Sequence, residues 1–587
     1  MKHAECYRKG YPRPRFVRKN FTSLDGEWGF AFDDEKQGER KGFYKRTQGD
    51  LTINVPYAYQ TKKSGIGDET RHDCVWYFKE FDCDLRQGRL LIHFEGADYR
   101  TKVFLNGRLV GTHTGGYTRF TFDLTDYLRR GKNALAVMCE DSYSLEQPRG
   151  KQRYVEKNVS CFYTDTTGIW KSVWLEEVGD CYLRDVVASC EYENQNFLFE
   201  YEIARYEEGL TLCVEARFEG ERVGCVEQEL FGEYGTIRLD ATLFHRMLPM
   251  KPWSAGRPQQ FFDVTYTLKR KGRIIDEVGS YTALVDYRVK NGHVQVNYLS
   301  DTYFRMVLAQ GYYGDGGLTA TEDELLRDVL LIKEMGFNGV RMHQKIEDDR
   351  FYYFCDMAGL YCWLEMPAAY GYSVETACAV SKEWSGIVRA HKGFLSVMAY
   401  VPVNESWGVL QTAENERMQA FTAGLYYLTR AIDPTRLVIS NDGWEHTVSD
   451  VVTLHNYAQT GRELSLACND LYGFLAGIPP KDAHTRTPFA DGWEYGGQPV
   501  IVSEYGGIAY RRGTEDGWGY GKTAAGEEEY LARLTELTGA ILASGAQGYC
   551  YTQFTDVMQE QNGLLTEARE YKIPAKKILE INRLPRA

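Results

Sequence analysis

Near residue 290 the hydrophobic pattern changes its period, and this change constrains the fold more than any other feature of the chain. Before that point, apolar and polar residues alternate in short runs, the period-two signature of half-buried strands. Beyond it, short apolar runs alternate with stretches whose apolar residues recur every three or four positions, as amphipathic helices require. Such a chain is expected to fold as β-sandwich material followed by a unit of strands and helices in alternation.

Residues 1–180 contain the strand-like runs Leu90-Leu91-Ile92-His93-Phe94, Thr101-Lys102-Val103-Phe104-Leu105 and Ala134-Leu135-Ala136-Val137-Met138. Asn106-Gly107 directly after the second is a hairpin turn, and the region reads as an N-terminal β jelly-roll sandwich. Further runs at 197–203, 210–218 and 261–268 fit an immunoglobulin-like β-sandwich over residues 181–285. In residues 286–587, Thr321 and Glu324 form a capping box ahead of Leu325, Leu326, Val329, Leu330 and Ile332, and Gly336 stands where the helix must end. Strand candidates lie at 306–310, 339–342, 361–365, 397–403, 437–440, 451–454, 500–503 and 549–551, with helical patterns plainest at 413–431 and 527–542. Eight such units in about 300 residues predict a C-terminal (β/α)8 TIM barrel, so the fold class is multidomain.

The net charge of −13 argues against a nucleic-acid partner, because phosphate binding needs a basic surface. No apolar run is long enough to span a bilayer, so no membrane partner is expected. The 14 cysteines show neither Cys-x-x-Cys pairs nor zinc spacing, and Met1-Lys2-His3-Ala4-Glu5-Cys6 has no apolar leader, which together predict a cytoplasmic protein with inert thiols.

A TIM barrel keeps its chemistry at the C-terminal ends of its strands, so the polar residues that follow each apolar run are the candidates. Arg341, His343 and Lys345 follow the second run, Glu365 ends the third, and Asn404 and Glu405 follow the fourth. Asn441, Asp442 and Trp444 follow the fifth, His455 and Tyr457 the sixth, Glu504 the seventh, and Gln553 and Asp556 the eighth. Glutamates after strands four and seven would face each other across the mouth. This is what a retaining glycosidase needs: one carboxylic acid to protonate the leaving oxygen and one carboxylate to attack the anomeric carbon. A carbohydrate substrate is therefore expected, and two carboxyl groups complete the cycle without a cofactor or metal.

Two of these stretches carry a more specific signal. Asn404-Glu405-Ser406-Trp407-Gly408 and Ser503-Glu504-Tyr505-Gly506-Gly507 resemble the acid/base and nucleophile signatures of glycoside hydrolase family 2, the family of β-galactosidases, β-glucuronidases and β-mannosidases. The N-terminal half is similar to the family as well, at Ser23-Leu24-Asp25-Gly26-Glu27-Trp28-Gly29-Phe30, Val103-Phe104-Leu105-Asn106-Gly107 and Gly168-Ile169-Trp170-Lys171-Ser172-Val173-Trp174. The resemblance implies that Asn404 contacts the sugar 2-OH, Glu405 is the acid/base, Glu504 is the nucleophile and Tyr457 hydrogen-bonds the nucleophile. It implies exo cleavage, with a jelly-roll loop at Cys161 to Thr167 offering Tyr163 and Asp165 to substrate. It also implies a homo-oligomer of unspecified size, and it leaves a supporting Mg²⁺ or Na⁺ open.

For the sugar, glucuronide-cleaving members use an Asn-x-Lys pair late in the barrel. Here Asn562 is present, but Leu564 stands in place of the lysine. Arg341 and Lys345 could instead form a cationic fork for a substrate carboxylate, or hold Glu365 in place, while His343 could touch sugar or orient a carboxylate. The reading is a galactose-configured substrate, galactoside or galacturonide, with a glucuronide second. A non-catalytic sugar-binding protein would be expected to lack one of the two carboxylates.

Overall fold

The computed structural model describes residues 2–85, 87–240, 251–469, 475, 486–510 and 517–586. Strands between Phe21 and Val178 form a six-stranded and a four-stranded antiparallel sheet, enclosing a core that includes Trp28, Ile92, Val103, Leu135 and Val173. A second sandwich packs a three-stranded sheet against a four-stranded one. Its strand Leu210–Phe218 shows why the sequence alternates. Leu210, Leu212, Val214, Ala216 and Phe218 are all buried between the sheets, and the residues between them are not.

The C-terminal unit curls eight parallel strands into one sheet. These are β1 (Phe304–Ala309), β2 (Gly339–Met342), β3 (Tyr361–Glu365), β4 (Val397–Val401), β5 (Leu437–Val438), β6 (Val452–Asn456), β7 (Val500–Gly506) and β8 (Gly548–Thr552). Every residue of β2, β3, β4, β7 and β8 is buried, as expected for parallel strands covered on both faces. Helix α1 (Glu322–Glu334) begins at the predicted capping box: Thr321 Oγ1 accepts the Glu324 N–H at 3.3 Å, and the Glu324 carboxylate accepts the Thr321 N–H at 2.7 Å. Helices α2 (Asp349–Ala358), α3 (Val374–His391), α4 (Glu416–Ile432), α5 (Gly461–Asn469), α6 (Glu527–Leu542) and α7 (Ala575–Asn582) follow.

Among the described residues, β5 and β6 make no ladder pair. Asp450 bridges this seam, its N–H donating to Val438 O at 2.9 Å and its carboxylate accepting the Val438 N–H at 2.8 Å. The predicted strand at 437–440 is therefore only two residues long. The N-terminal end of the barrel is closed by a hairpin, Tyr287–Lys290 and His293–Val296, tied on by Gln547 Nε2 to Val294 O at 2.8 Å and Tyr287 Oη to Leu395 O at 2.8 Å.

The opposite end is covered from the first sandwich. A loop of residues 141–167 crosses the C-terminal face of the barrel. Arg149 and Gly150 donate their N–H groups to Ala368 O at 3.0 and 3.1 Å, Trp518 Nε1–H donates to Ser160 O at 2.8 Å, and Tyr163 Oη–H donates to Glu560 at 2.5 Å. Among the described residues, no helix is long and apolar enough to cross a membrane.

Candidate active site

The chain leaves β4 and turns sharply. Glu405 and Ser406 adopt left-handed backbone, with φ of 52° and 57°. Non-glycine residues hold that conformation only where the surroundings fix it. Here the Glu405 N–H donates to Asp442 O at 2.9 Å, the Ser406 N–H to Asn441 Oδ1 at 2.9 Å, and Ser406 Oγ–H to Glu445 at 2.6 Å. The turn ends the strand at Val401 rather than at the predicted residue 403. It leaves the Glu405 carboxylate partly exposed, with Oε2 accepting the Trp407 Nε1–H at 3.2 Å.

Glu504 lies within β7, opposite. Its Oε1 accepts Arg341 Nη1–H at 2.7 Å, and its Oε2 accepts the Tyr457 hydroxyl. The Tyr457 ring is fixed by stacking on Tyr520 at 3.6 Å between centroids. His455 joins the two glutamates: Nδ1 is 2.7 Å from Glu405 Oε1, and Nε2 is 3.2 Å from Asp442 and 3.6 Å from Glu504 Oε1. A carboxylate oxygen of Glu405, a ring nitrogen of His455 and a carboxylate oxygen of Glu504 all lie within 4.8 Å of one another.

The electrostatics follow from burial and these neighbours. Burial alone would depress the His455 pKa, but Glu504 and Asp442, with hydrogen bonds to Asp442 and Glu405, raise it to about 10. Burial alone would raise the Glu405 pKa, but the hydrogen bond and charge of His455, helped by Lys151 and Arg341, lower it below the usual carboxylate range. One proton therefore sits between Glu405 and His455, on the histidine side. The same three side chains could hold a cation only by expelling that proton, since both ring nitrogens already meet carboxylates.

Several residues singled out from the sequence are placed differently from expectation. Arg341 and Lys345 were open to two roles, meeting a substrate carboxylate or holding Glu365 or Glu504, and neither has a donor left for the first. All five Arg341 N–H groups are taken: Nε by Glu365 at 2.8 Å, Nη1 by Ser503 O and Glu504, and Nη2 by Asn404 Oδ1 and Asp442, both at 2.8 Å. Burial opposes the guanidinium charge, but Asp442, Glu365 and Glu504 outweigh it and raise the pKa far above its ordinary value. Lys345 Nζ donates to Gly311 O at 2.7 Å, Leu318 O at 2.8 Å and Glu347 at 2.5 Å, although burial still lowers its pKa to about 8. Glu365 is fully enclosed behind this fork, and burial pushes its pKa up to about 7. Asp165 faces the interior of the first sandwich, where Arg153 at 2.7 Å and Arg71 at 3.0 Å claim its oxygens. Tyr163 does reach the barrel, through Glu560.

His343, Asn404 and Asn562 do lie at the barrel mouth. Burial, followed by Lys151, Arg341 and His455, lowers the His343 pKa well below normal, so the ring is neutral. Its Nδ1–H donates to Gln310 Oε1 at 3.0 Å and its Nε2 accepts Asn404 Nδ2–H at 3.3 Å. Asn404 is thereby oriented from both ends, with its oxygen on Arg341. Asn562 donates Nδ2–H to Glu560 Oε1 at 3.1 Å. Sequence reasoning had His455 and Asp442 among the residues at strand ends but did not select them. The available signal was that His455 and Tyr457 are two positions apart and so share a strand face.

Comparison with known sequences fits this arrangement. The family model described as Glycosyl hydrolases family 2, sugar binding domain, matches residues 21–178, and the one described as Glycosyl hydrolases family 2, TIM barrel domain, matches residues 288–516. The chain belongs to glycoside hydrolase family 2. A Formosa agariphila protein provisionally named a β-glucuronidase is 25% identical to this family 2 member over 403 residues, covering 66% of this chain and 47% of that one. The chain spans less than half the length of its sequence relatives. Two solved structures share its fold: a Bifidobacterium dentium β-glucuronidase (TM-score 0.78, 19% identity, 98% and 99% of the chains covered) and a β-galacturonidase from Eisenbergiella tayi (TM-score 0.75, 18% identity, 98% of each chain covered).

Proposed function

We propose that this family 2 member is a retaining exo-β-glycosidase acting on a galactose-configured sugar, as galactoside or galacturonide. The observation that carries the reading is the short separation of the Glu405 and Glu504 carboxylates, with oxygens within 4.8 Å. Retaining enzymes hold their carboxyl groups about 5–5.5 Å apart, whereas inverting ones need about 6.5–9.5 Å to admit a water between them.

In the first step Glu504, paired with Arg341, attacks the anomeric carbon. The bond to the leaving oxygen breaks, and that oxygen takes the proton held by the Glu405–His455 pair. In the second step Glu405 removes a proton from water, the water oxygen bonds to the anomeric carbon, and the Glu504 ester bond breaks with the β configuration restored. Asn404, fixed by Arg341 and His343, is placed to bond the sugar 2-OH. The loop tied across the C-terminal face supports exo cleavage, because it covers part of the mouth along which a continuous chain would lie. Leu564 is buried, so that position offers no cation to a glucuronide. A glucuronide is the second reading, supported by the names of the Formosa and Bifidobacterium relatives.

Two measurements test the mechanism. NMR of the first-formed product should show the β anomer from a β-glycoside, and an α anomer as first product would reverse the reading. Glu405→Gln should keep most activity on p-nitrophenyl glycosides, whose leaving group needs little protonation, and lose about 10²–10⁴-fold on alkyl glycosides. Equal losses on both would take the acid role away from Glu405.

The proton shared with His455 makes a separate prediction. In the wild type the pair keeps its proton until pH approaches the His455 value of about 10. In His455→Ala the alkaline limb of kcat/KM should move toward neutral pH by more than about one unit, since Glu405 alone then holds the proton. An unmoved limb would show that His455 does not share it.

A further inference from the structure

Arg341 and Lys345 are saturated by protein acceptors, yet one buried cation at the barrel mouth is not. Lys151, on the loop from the first sandwich, is buried, and among the described residues its ammonium makes a single hydrogen bond, to the Cys161 thiol at 3.5 Å. Among the described residues, no carboxylate stands within 4.0 Å of it. The face of Phe162 lies 5.8 Å away. A thiol is a weak acceptor, so the ammonium keeps hydrogen-bonding capacity in hand, while burial, which opposes its charge, is outweighed by Cys161, Tyr370, Glu405 and Glu560 together, which hold it charged.

Its position follows from the backbone. Tyr163 N–H donates to Lys151 O at 2.9 Å and Arg153 N–H to Tyr163 O at 2.7 Å, which sets Lys151 beside Tyr163. The Tyr163 hydroxyl reaches Glu560, beyond β8. The charge of Lys151 is felt by Glu405 after β4, by His343 after β2 and by Glu560, three groups on three different sides of the mouth. Glu560 acts on Lys151 through its charge but makes no ion pair with it within 4.0 Å, and its two oxygens accept Tyr163 Oη–H and Asn562 Nδ2–H. Close by, the Tyr312 ring packs edge-on against Tyr163 at 4.9 Å, and its hydroxyl is buried with no hydrogen-bond partner. An ammonium held only by a weak thiol acceptor and a phenol without a partner, both buried, offer donors to an anion.

We propose that Lys151, assisted by Tyr312, anchors the C6 carboxylate of a hexuronic acid, so that the substrate is a β-hexuronide, galacturonide before glucuronide. The inference rests on the glycosidase reading above and narrows it from galactose-configured sugars in general to their uronic acids. A carboxylate supplies the strong acceptors that this ammonium lacks, and charge-assisted bonds of this kind are roughly twice as strong as those to a neutral hydroxyl. The cation lies on a different domain from the two catalytic glutamates, so substrate binding would fasten the loop to the barrel.

The test compares kcat/KM of wild type, Lys151→Met and Lys151→Arg on p-nitrophenyl β-galacturonide, β-glucuronide and β-galactoside. Wild type should prefer a uronide. Lys151→Met should lose about 10²–10³-fold on uronides, chiefly through KM, and at least about tenfold more than on the β-galactoside, whose change should appear in kcat through Glu405, and Lys151→Arg should recover part of the loss. Wild-type preference for the neutral galactoside, or equal losses on charged and neutral substrates, would overturn the proposal. Wild type inactive on every β-glycoside would instead sink the glycosidase reading, and the inference with it. If Lys151→Met melts early, competition on the wild-type enzyme decides. Free D-galacturonate should inhibit at least about tenfold more strongly than D-galactose, and equal inhibition would refute the anchor.

Discussion

Glu504→Gln is expected to lower turnover of every β-glycoside by at least about 10⁴-fold, because the amide cannot form the glycosyl ester through which both half-reactions pass. The substitution keeps the size of the side chain and one acceptor for Arg341 Nη1–H, so the fold and sugar binding should persist. This separates loss of chemistry from loss of structure. Intact-mass spectrometry gives a direct reading with a 2-deoxy-2-fluoro glycoside bearing a good leaving group. The wild type should gain the mass of one fluorosugar, Glu504→Gln should gain none, and Glu405→Gln should still be labelled. Labelling of Glu504→Gln at the wild-type rate would move the nucleophile to another residue.

Arg341→Met should have the largest effect on stability. The guanidinium is the shared counter-charge of Glu365, Asp442 and Glu504, and its removal leaves three buried carboxylates facing one another, with charged His455 near Asp442 and Glu504 and only the neutral ring of His343 near Glu365. Removing one partner of a buried ion pair costs about 3–5 kcal/mol, and here the partner is common to three. The deficit should depend on pH. Glu365 already titrates near 7 in the wild type because burial outweighs Arg341, and without the arginine its folded pKa must rise further above the unfolded value. A carboxyl with a raised folded pKa binds more protons folded than unfolded, so the folded state loses stability as pH rises through that window. Denaturant midpoints of Arg341→Met should therefore fall further below wild type at pH 8 than at pH 5. The same midpoint difference at both values would mean that the three carboxylates find other compensation. Activity should also collapse, because Glu504 and Asn404 lose the donor that aims them.

The parts of the molecule that were legible in the sequence are those with local causes. The capping box at Thr321 and Glu324 started α1 where it was read, because both hydrogen bonds are made within four residues. Helix α6 occupies the predicted residues 527–542, and Leu210–Phe218 is the predicted strand, since each has an apolar period that only one secondary structure can bury on one face. Strand ends were less legible. The left-handed turn at Glu405 and Ser406 cuts β4 short, and the side chain of Asp450 takes the place of ladder bonds beside β5, both through partners about ten to forty positions away.

Sequence alone determined that eight parallel strands, most of them followed by a helix, come after two sandwiches, and that Asn404, Glu405, Tyr457 and Glu504 stand at the carboxyl ends of barrel strands. Those are matters of period and position, and neighbours along the chain settle them. Only the tertiary structure decided what each charge does. Arg341 and Lys345 look alike on paper as free cations after β2, but folding delivers Glu365, Glu504 and Asp442 to the first and two backbone carbonyls with Glu347 to the second. Folding likewise turns Asp165 inward to two arginines and leaves Lys151, more than two hundred residues away from Glu405 in sequence, with only a thiol acceptor at the barrel mouth among the described residues. The physical reason is that a buried charge is defined by its partners, and in this protein those partners come from other strands and another domain.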